Sequence, residues 1–239
     1  MSQPGFEPTQ ISRIRRHPER GGYDEGSVFA VLDAAVLGHV GYVIDGQPFV
    51  TPTAYWRIGR RLYWHGAAAS RMLRRLAQGE PACLAASLLD GLVLGPSGFV
   101  HSLNYRSVMA FGRARLVEGL EAKRAATNAF IERLYPGRTA QLRPATDAEL
   151  TQISVIEMPI DEASAKTREG GVKAIDADEG WPAWSGVLPL QTRIGQPLAD
   201  DVVGAAALGR AVPPPLAEAA LFDAALSAAA AAQMAAEMS

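Results

Sequence analysis

The sequence holds a single cysteine, Cys83, so no internal disulfide can form. Its four histidines, His17, His39, His65 and His101, are scattered, without the paired spacings that a structural zinc site needs. No stretch reaches the ~18 uninterrupted apolar residues of a membrane-spanning helix, and the polar, proline-containing residues 1–20 lack the apolar segment of a secretory signal. Lys and Arg number 23 against 25 Asp and Glu, a formal charge of −2, which gives no global electrostatic reason for a nucleic acid or an anionic membrane as partner. A serine elbow, a Walker loop and a Gly-x-Gly-x-x-Gly fingerprint are missing too. Together these absences predict a soluble, unexported protein of a reducing cytoplasm, with no metal site and no catalytic residue nameable from sequence.

What is present suffices for one core. A chain of 239 residues at 48% hydrophobic composition fits one sizeable domain with appended tails. Residues 1–23 set Pro4, Pro8, Pro18, Gly21 and Gly22 among Arg13, Arg15, Arg16 and Arg20, and read as an N-terminal arm without regular structure. Asp24 is placed to cap a helix reaching Ala34, in which Val28, Val31 and Leu32 share a face. Residues 38–65 then turn β-like: three antiparallel strands, the first two joined at Asp45-Gly46, where both central residues of a type I′ turn need positive φ.

Residues 70–77 form a short amphipathic helix, with Met72, Leu73 and Leu76 opposite Arg71, Arg74 and Arg75. Two apolar runs, 83–89 and 91–101, are separated by Asp90-Gly91 and predict a second hairpin, continued by a strand over 105–117. A helix over 118–135, a capping box at Thr146-Asp147-Ala148-Glu149 and a strand over 153–158 follow. Residues 161–186 show little periodicity and read as a long ordered loop or a partner-contacting segment, and 196–239 as a Pro- and Ala-rich appendage. Six to seven strands with connections mostly too short for crossovers predict a mainly β fold, a closed or nearly closed antiparallel barrel with flanking helices, in a domain spanning 24–195.

The turn Tyr63-Trp64-His65-Gly66-Ala67-Ala68-Ala69-Ser70-Arg71 carries the candidate chemistry. A strand entering a helix through small residues leaves backbone N–H groups unpaired, Ser70 can add a hydroxyl and Arg71 a guanidinium, a combination that attracts phosphate. A strand-to-helix turn with a solvated Arg face has the same pattern. His65 beside it could bond a ligand or handle protons near neutrality, or be a satisfied structural histidine. In Thr51-Pro52-Thr53, proline removes a ladder donor, which suits an edge, a bulge or a ligand-facing strand. His101-Ser102-Leu103-Asn104-Tyr105-Arg106-Ser107 concentrates donors between apolar strands; it is a second anion-binding candidate or a polar turn with Arg106 paired to an acid. Cys83, in an apolar strand with no local base, reads as an inert thiol.

Four ordered motifs give the sequence its resemblance: Gly46-Gln47-Pro48-Phe49-Val50-Thr51-Pro52-Thr53; Leu62-Tyr63-Trp64-His65-Gly66 with Ser70-Arg71; Asn104-Tyr105-Arg106-Ser107-Val108 with Phe111-Gly112-Arg113-Ala114; and Pro159-Ile160-Asp161-Glu162-Ala163-Ser164-Ala165-Lys166 with Trp184-Ser185-Gly186-Val187-Leu188-Pro189-Leu190. Over residues 13–190 it resembles the FMN-binding split-barrel family, in the branch of pyridoxamine 5′-phosphate oxidase and the nitroimidazole-resistance proteins. The resemblance implies a six-stranded antiparallel split barrel, dimerised so that each FMN lies at the subunit interface. It places Val50, Thr51, Pro52 and Thr53 along the isoalloxazine and His65, Ser70 and Arg71 at the ribityl phosphate. Asn104, Arg106 and Ser107 would complete the pocket, with Lys166, Arg168 and Trp184 from the second subunit. Many relatives carry Lys where this chain has Arg71. The activity implied is that of an FMN-dependent oxidoreductase acting on a small molecule or electron acceptor, with NAD(P)H as donor. The alternative is a non-catalytic protein that binds or senses with a flavin, haem or deazaflavin, since fold does not fix function.

Overall fold

The protein is described here by a computed structural model covering residues 4–173 and 175–194; the appendage expected over 196–239 lies outside the described residues. The elements run β1 (Gly21–Gly22), α1 (Glu25–Ala34), β2 (Leu37–Ile44), β3 (Gln47–Ile58), β4 (Arg61–Ala67), α2 (Arg71–Leu76), β5 (Gln78–Leu94), β6 (Ser102–Leu116), α3 (Leu120–Leu134), α4 (Asp147–Thr151), β7 (Ile153–Pro159), β8 (Glu162–Arg168) and β9 (Gly186–Pro189). The local signals explain most of them. Asp24 caps α1 by accepting the Ser27 N–H at 2.8 Å. The β2–β3 turn has Asp45 at φ 51° and Gly46 at φ 78°, as a type I′ hairpin requires. Thr146 and Glu149 form the reciprocal capping box of α4.

The sheet order is β1-β8-β6-β7-β4-β3-β2-β5-β9, and a further β5–β6 ladder closes β6, β7, β4, β3, β2 and β5 into a ring of six antiparallel strands. This is the six-stranded split barrel. Inside it, Val28 and Leu32 of α1 meet Val40, Tyr55, Leu62, Trp64, Leu84, Ile156 and Met158. A smaller cluster on the α3 side holds Trp56, Tyr63, Val117, Ala126 and Val155, with Phe130 packed against it. Where β6 passes the end of β7, a Cβ on Gly112 would fall 2.0 Å from the Pro159 carbonyl oxygen, so only glycine permits the approach. Among the described residues no helix is long and apolar enough to cross a membrane.

Three expectations change. Asp90-Gly91 is no hairpin turn: β5 runs straight through it to Leu94, and Asp90 is the extra residue of a bulge between the pairs Leu89↔Tyr105 and Gly91↔Asn104. The reason is that Arg106 of β6 holds the Asp90 carboxylate with two hydrogen bonds, of 3.1 and 2.9 Å, across the ladder. Within 161–186, residues 162–168 are the strand β8, paired to β6 and β1 rather than part of a loop. Its outer positions are short or charged and its inner ones alanine, so no large apolar alternation announces it. The N-terminal arm is not without regular structure: it ends in a 3-10 turn over Pro18–Arg20 and the strand β1, paired to β8, and it is pinned to the barrel, with Phe6 buried, its N–H donating to the Tyr23 carbonyl, and Lys166 Nζ donating to the Arg16 carbonyl at 2.6 Å.

One buried cation ties helices to barrel. Arg133 of α3 donates to the carbonyls of Leu32, Asp33 and Ala35 at the C-terminal end of α1, at 2.8, 3.2 and 2.6 Å, and to that of Tyr55 at 3.2 Å. Those carbonyls have no partner further along a helix that has ended; the Tyr55 hydroxyl also donates to that of Leu32, at 2.7 Å, and the guanidinium supplies donors to all three. Beside it Arg57 grips the Asp33 carboxylate through Nε and Nη2 at 2.9 and 2.6 Å. Arg133→Met is expected to lower stability by about 3 kcal/mol, since several buried acceptors lose a charged donor at once. The change should appear in urea unfolding as a shifted midpoint with an unchanged slope.

Candidate functional site

The β3–β4 ladder is short. It pairs Tyr55–Ile58 with 61–64 and stops at Tyr55↔Trp64. Beyond that point residues 47–54 of β3 pair with β2, and residues 65–67 of β4 pair with β7. The two strands therefore part, and their facing edges are left without a common ladder. Unpaired strand edges need other partners, and a ligand with polar edges is one.

Several candidate residues line this opening. Ser70 caps α2, its hydroxyl accepting from the Leu73 N–H at 3.5 Å. In the approach to α2 the Ala68 and Ser70 N–H groups are used, donating to the Gln152 and Ala67 carbonyls, whereas those of Ala69, Arg71 and Met72 meet no acceptor among the described residues. Arg71 lies on the exposed rim, its Cζ 4.5 Å from the centroid of the Phe49 ring on β3. Phe49 stacks in turn on Tyr42, with centroids 5.6 Å apart, and the Tyr42 hydroxyl shares a 3.1 Å hydrogen bond with Thr51 Oγ1. The motif containing Phe49 was legible, but its role as the floor under Arg71 depends on a contact between elements that no spacing reveals.

Strand alternation divides the four β3 candidates. Thr51 and Thr53 share the inner face with Phe49 and Tyr55, while Val50 and Pro52 point outward, opposite Gly41 and His39. His65 also separates from its neighbours. Trp64 enters the main core, so His65 turns to the α3 side, where its ring lies 5.8 Å from that of Trp56 and 5.5 Å from that of Phe130. Its Nδ1 is buried without a hydrogen-bond partner, as is Nε1 of Trp56. Burial pushes the imidazole pKa below its ordinary 6.5 and keeps the ring neutral. Trp56 could have been placed beside His65 from sequence, since antiparallel pairing of Tyr55 with Trp64 makes the two diagonal neighbours on one face.

The second group of candidates lies on β6 and β8, with β2 and β5 between it and β3 in the ring. Arg106 is bound to Asp90, and Ser107 Oγ donates to the Lys166 carbonyl at 3.2 Å. Buried Arg168 donates to Asn104 Oδ1 and to the Gly171 carbonyl at 3.1 Å, and Asn104 Nδ2 donates to the Gly170 carbonyl at 3.1 Å. These side chains order the loop after β8. Trp184 is 62% exposed, its ring against Gly186 at the start of β9. Within one chain, then, the structure brings together β3, Ser70 and Arg71, and keeps Asn104, Arg106, Ser107, Lys166 and Arg168 as a distinct cluster.

With this geometry in view, residues 24–167 match the family model described as pyridoxamine 5′-phosphate oxidase. The chain belongs to that family. It is similar to the flavocytochrome Anf3 of Azotobacter vinelandii at 35% identity, covering 92% of this chain and 98% of that one with a TM-score of 0.77. It is also similar to an FAD and haem binding protein of Mycobacterium smegmatis at 36% identity, covering 82% and 94% of the two chains with a TM-score of 0.76. A Bacteroides thetaiotaomicron chain described as a 5-nitroimidazole antibiotic resistance protein shares the fold at 22% identity, 61% and 85% coverage and a TM-score of 0.52. No curated protein matches the sequence.

The state of His65 has a consequence for pH. Its folded-state pKa lies below 6.5, so as pH falls past 6.5 the unfolded chain takes up the proton first and stability declines toward the lowered value. The urea midpoint of ligand-free protein should drop from pH 7.5 to pH 5, and His65→Phe should show a smaller drop over the same interval, whatever its absolute stability.

Proposed function

We propose that this chain is a flavin-binding redox protein whose flavin lies in the opening between β3 and β4. The observation that carries the reading is the parted ladder, with the N–H groups of Ala69, Arg71 and Met72, the Ser70 hydroxyl and the Arg71 guanidinium at one wall and Phe49, Thr51 and Thr53 at the other. Ser70 and Arg71 would hold the phosphate next to the ribityl chain, a group that FMN and FAD share. FMN is the form the sequence resemblance implies; the M. smegmatis relative named for FAD makes FAD the other form to test. A bound flavin supplies hydride or single-electron transfer. The protein's part is to orient it: the Phe49–Tyr42 stack closes the inner end of the opening, and the backbone edges of β3 and β4 offer donors and acceptors to the ring.

A homodimer fits this reading. The outward faces of β2, β3, β5 and β6 expose Leu37 at 55%, Val43 at 50%, Val50 at 68%, Leu89 at 48% and Met109 at 45%, an apolar sheet surface of the kind that interfaces cover. The sequence resemblance assigns Lys166, Arg168 and Trp184 of the second protomer to the flavin site of the first. We assign an oxidoreductase role, with NAD(P)H as donor and a small molecule as acceptor, in the cytoplasm, where the lone Cys83 stays reduced. A second reading adds a haem. It rests on the two relatives near 35% identity, named as a flavocytochrome and as an FAD and haem binding protein, and on the half-buried imidazole of His65, whose Nδ1 has no partner among the described residues.

Purified protein titrated separately with FMN and FAD is expected to bind at least one of them, with flavin absorption bands and quenched flavin fluorescence; failure to bind either removes the proposal. Arg71→Ala should weaken the bound flavin by about 1.5–3 kcal/mol, roughly 10- to 150-fold in Kd, and an unchanged Kd would take Arg71 out of the phosphate site.

A further inference from the structure

The inward-facing hydroxyls of β2 and β3 are not equally engaged. The Tyr55 hydroxyl donates to the Leu32 carbonyl at 2.7 Å, and Thr53 Oγ1 donates to the Ala54 carbonyl at 3.2 Å. Thr51 differs: its Oγ1 lies 3.1 Å from the Tyr42 hydroxyl, and neither oxygen has another hydrogen bond among the described residues. Two hydroxyl protons therefore meet in a single hydrogen bond, which uses one of them. Tyr42 is 7% exposed, so a phenol that accepted here would leave its own proton buried without an acceptor, an arrangement that folded proteins avoid. A phenol is also a stronger donor than an aliphatic alcohol. The bond therefore runs from Tyr42 to Thr51, and half-buried Thr51 keeps a proton to give.

Resting on the flavin reading above, we propose that Tyr42 is a positioning residue, which fixes the Thr51 hydroxyl as a hydrogen-bond donor to the isoalloxazine and thereby raises the reduction potential of the bound flavin. The packing holds Tyr42 where this requires. Tyr42 and Phe49 are directly opposed in the β2–β3 ladder, with ring centroids 5.6 Å apart and planes within 17° of parallel. Arg71 lies over Phe49 at 4.5 Å, so the same stack underlies the phosphate end of the proposed site. Thr51 is β-branched and therefore restricted at χ1, which leaves the direction of its O–H as the main freedom. The bond from Tyr42 removes that freedom, and a hydroxyl that already accepts a hydrogen bond donates more strongly. The edge of an isoalloxazine carries ring nitrogens and carbonyl oxygens that accept hydrogen bonds and gain negative charge on reduction. A donor fixed there holds the reduced form more tightly than the oxidised one. Tyr42 acts through Thr51 and needs no contact with the flavin itself.

The test is the two-electron midpoint potential of the full-length protein loaded with FMN or FAD, whichever binds more tightly, measured for Tyr42→Phe, Thr51→Val, the double variant and Thr51→Ser. Thr51→Val should weaken reduced flavin about tenfold more than oxidised flavin, a potential lowered by about 30 mV. Tyr42→Phe, which keeps the ring stacked on Phe49, should move the potential in the same direction by a smaller amount. The double variant should match Thr51→Val alone, because the effect of Tyr42 passes through the Thr51 hydroxyl. Thr51→Ser, which keeps a hydroxyl, should restore the wild-type value. A wild-type potential in Tyr42→Phe, or a Tyr42→Phe shift that persists undiminished in the Thr51→Val background, would overturn the assignment and leave the flavin proposal standing. Wild-type protein that binds neither FMN nor FAD would overturn the flavin proposal and this one with it.

Discussion

The structure turns on a constraint at a single point, the end of the β3–β4 ladder at Tyr55↔Trp64. Up to that pair the strands share hydrogen bonds; past it β3 is held only by β2, over residues 47–54, and β4 only by β7, which it pairs along its whole length. A barrel that stayed zipped would satisfy its own backbone and offer nothing between these strands. A barrel that opens must fix its strands by other means, and this one anchors β3 to the helices beside the opening. Arg133 joins α3 to the Tyr55 carbonyl and to the end of α1, and the Arg57–Asp33 pair holds β3 to α1 from the neighbouring position. Both interactions sit beside the last residues of the ladder, where the strands begin to separate.

The same parting sorts side chains into two environments. Because residues alternate along β4, Trp64 and His65 look in opposite directions from adjacent positions. On the inner side, Phe49, Tyr42 and Thr51 form a stacked and hydrogen-bonded wall beneath Arg71. On the α3 side, the half-buried His65 imidazole packs beside Trp56 and Phe130, its Nδ1 without a partner among the described residues.

Much of the barrel was legible because its signals are local. Asp45-Gly46 specifies a turn whose φ values only Gly, Asn or Asp adopt readily, and Thr146 with Glu149 specifies a helix start. Asp90-Gly91 shows the limit of such signals: the dipeptide is the same type, but an arginine sixteen residues later claims the aspartate and keeps the strand extended. Strand β8 was illegible for a different reason. Glu162-Ala163-Ser164-Ala165-Lys166-Thr167-Arg168 has no large apolar alternation, since its inner positions face a part of the core filled by other strands and need only alanine. At the site, the phosphate-type turn was visible as a pattern, whereas the contact of Arg71 with Phe49 and the orientation of His65 away from Ser70 emerge only once register is known.

The central claim is that a flavin occupies the β3–β4 opening. A crystal structure of the flavin-loaded protein tests it most directly. The account predicts flavin density between residues 49–53 and 66–71, with its phosphate against Ser70 and Arg71; flavin density seated elsewhere on the chain, with this opening filled by solvent, would contradict it.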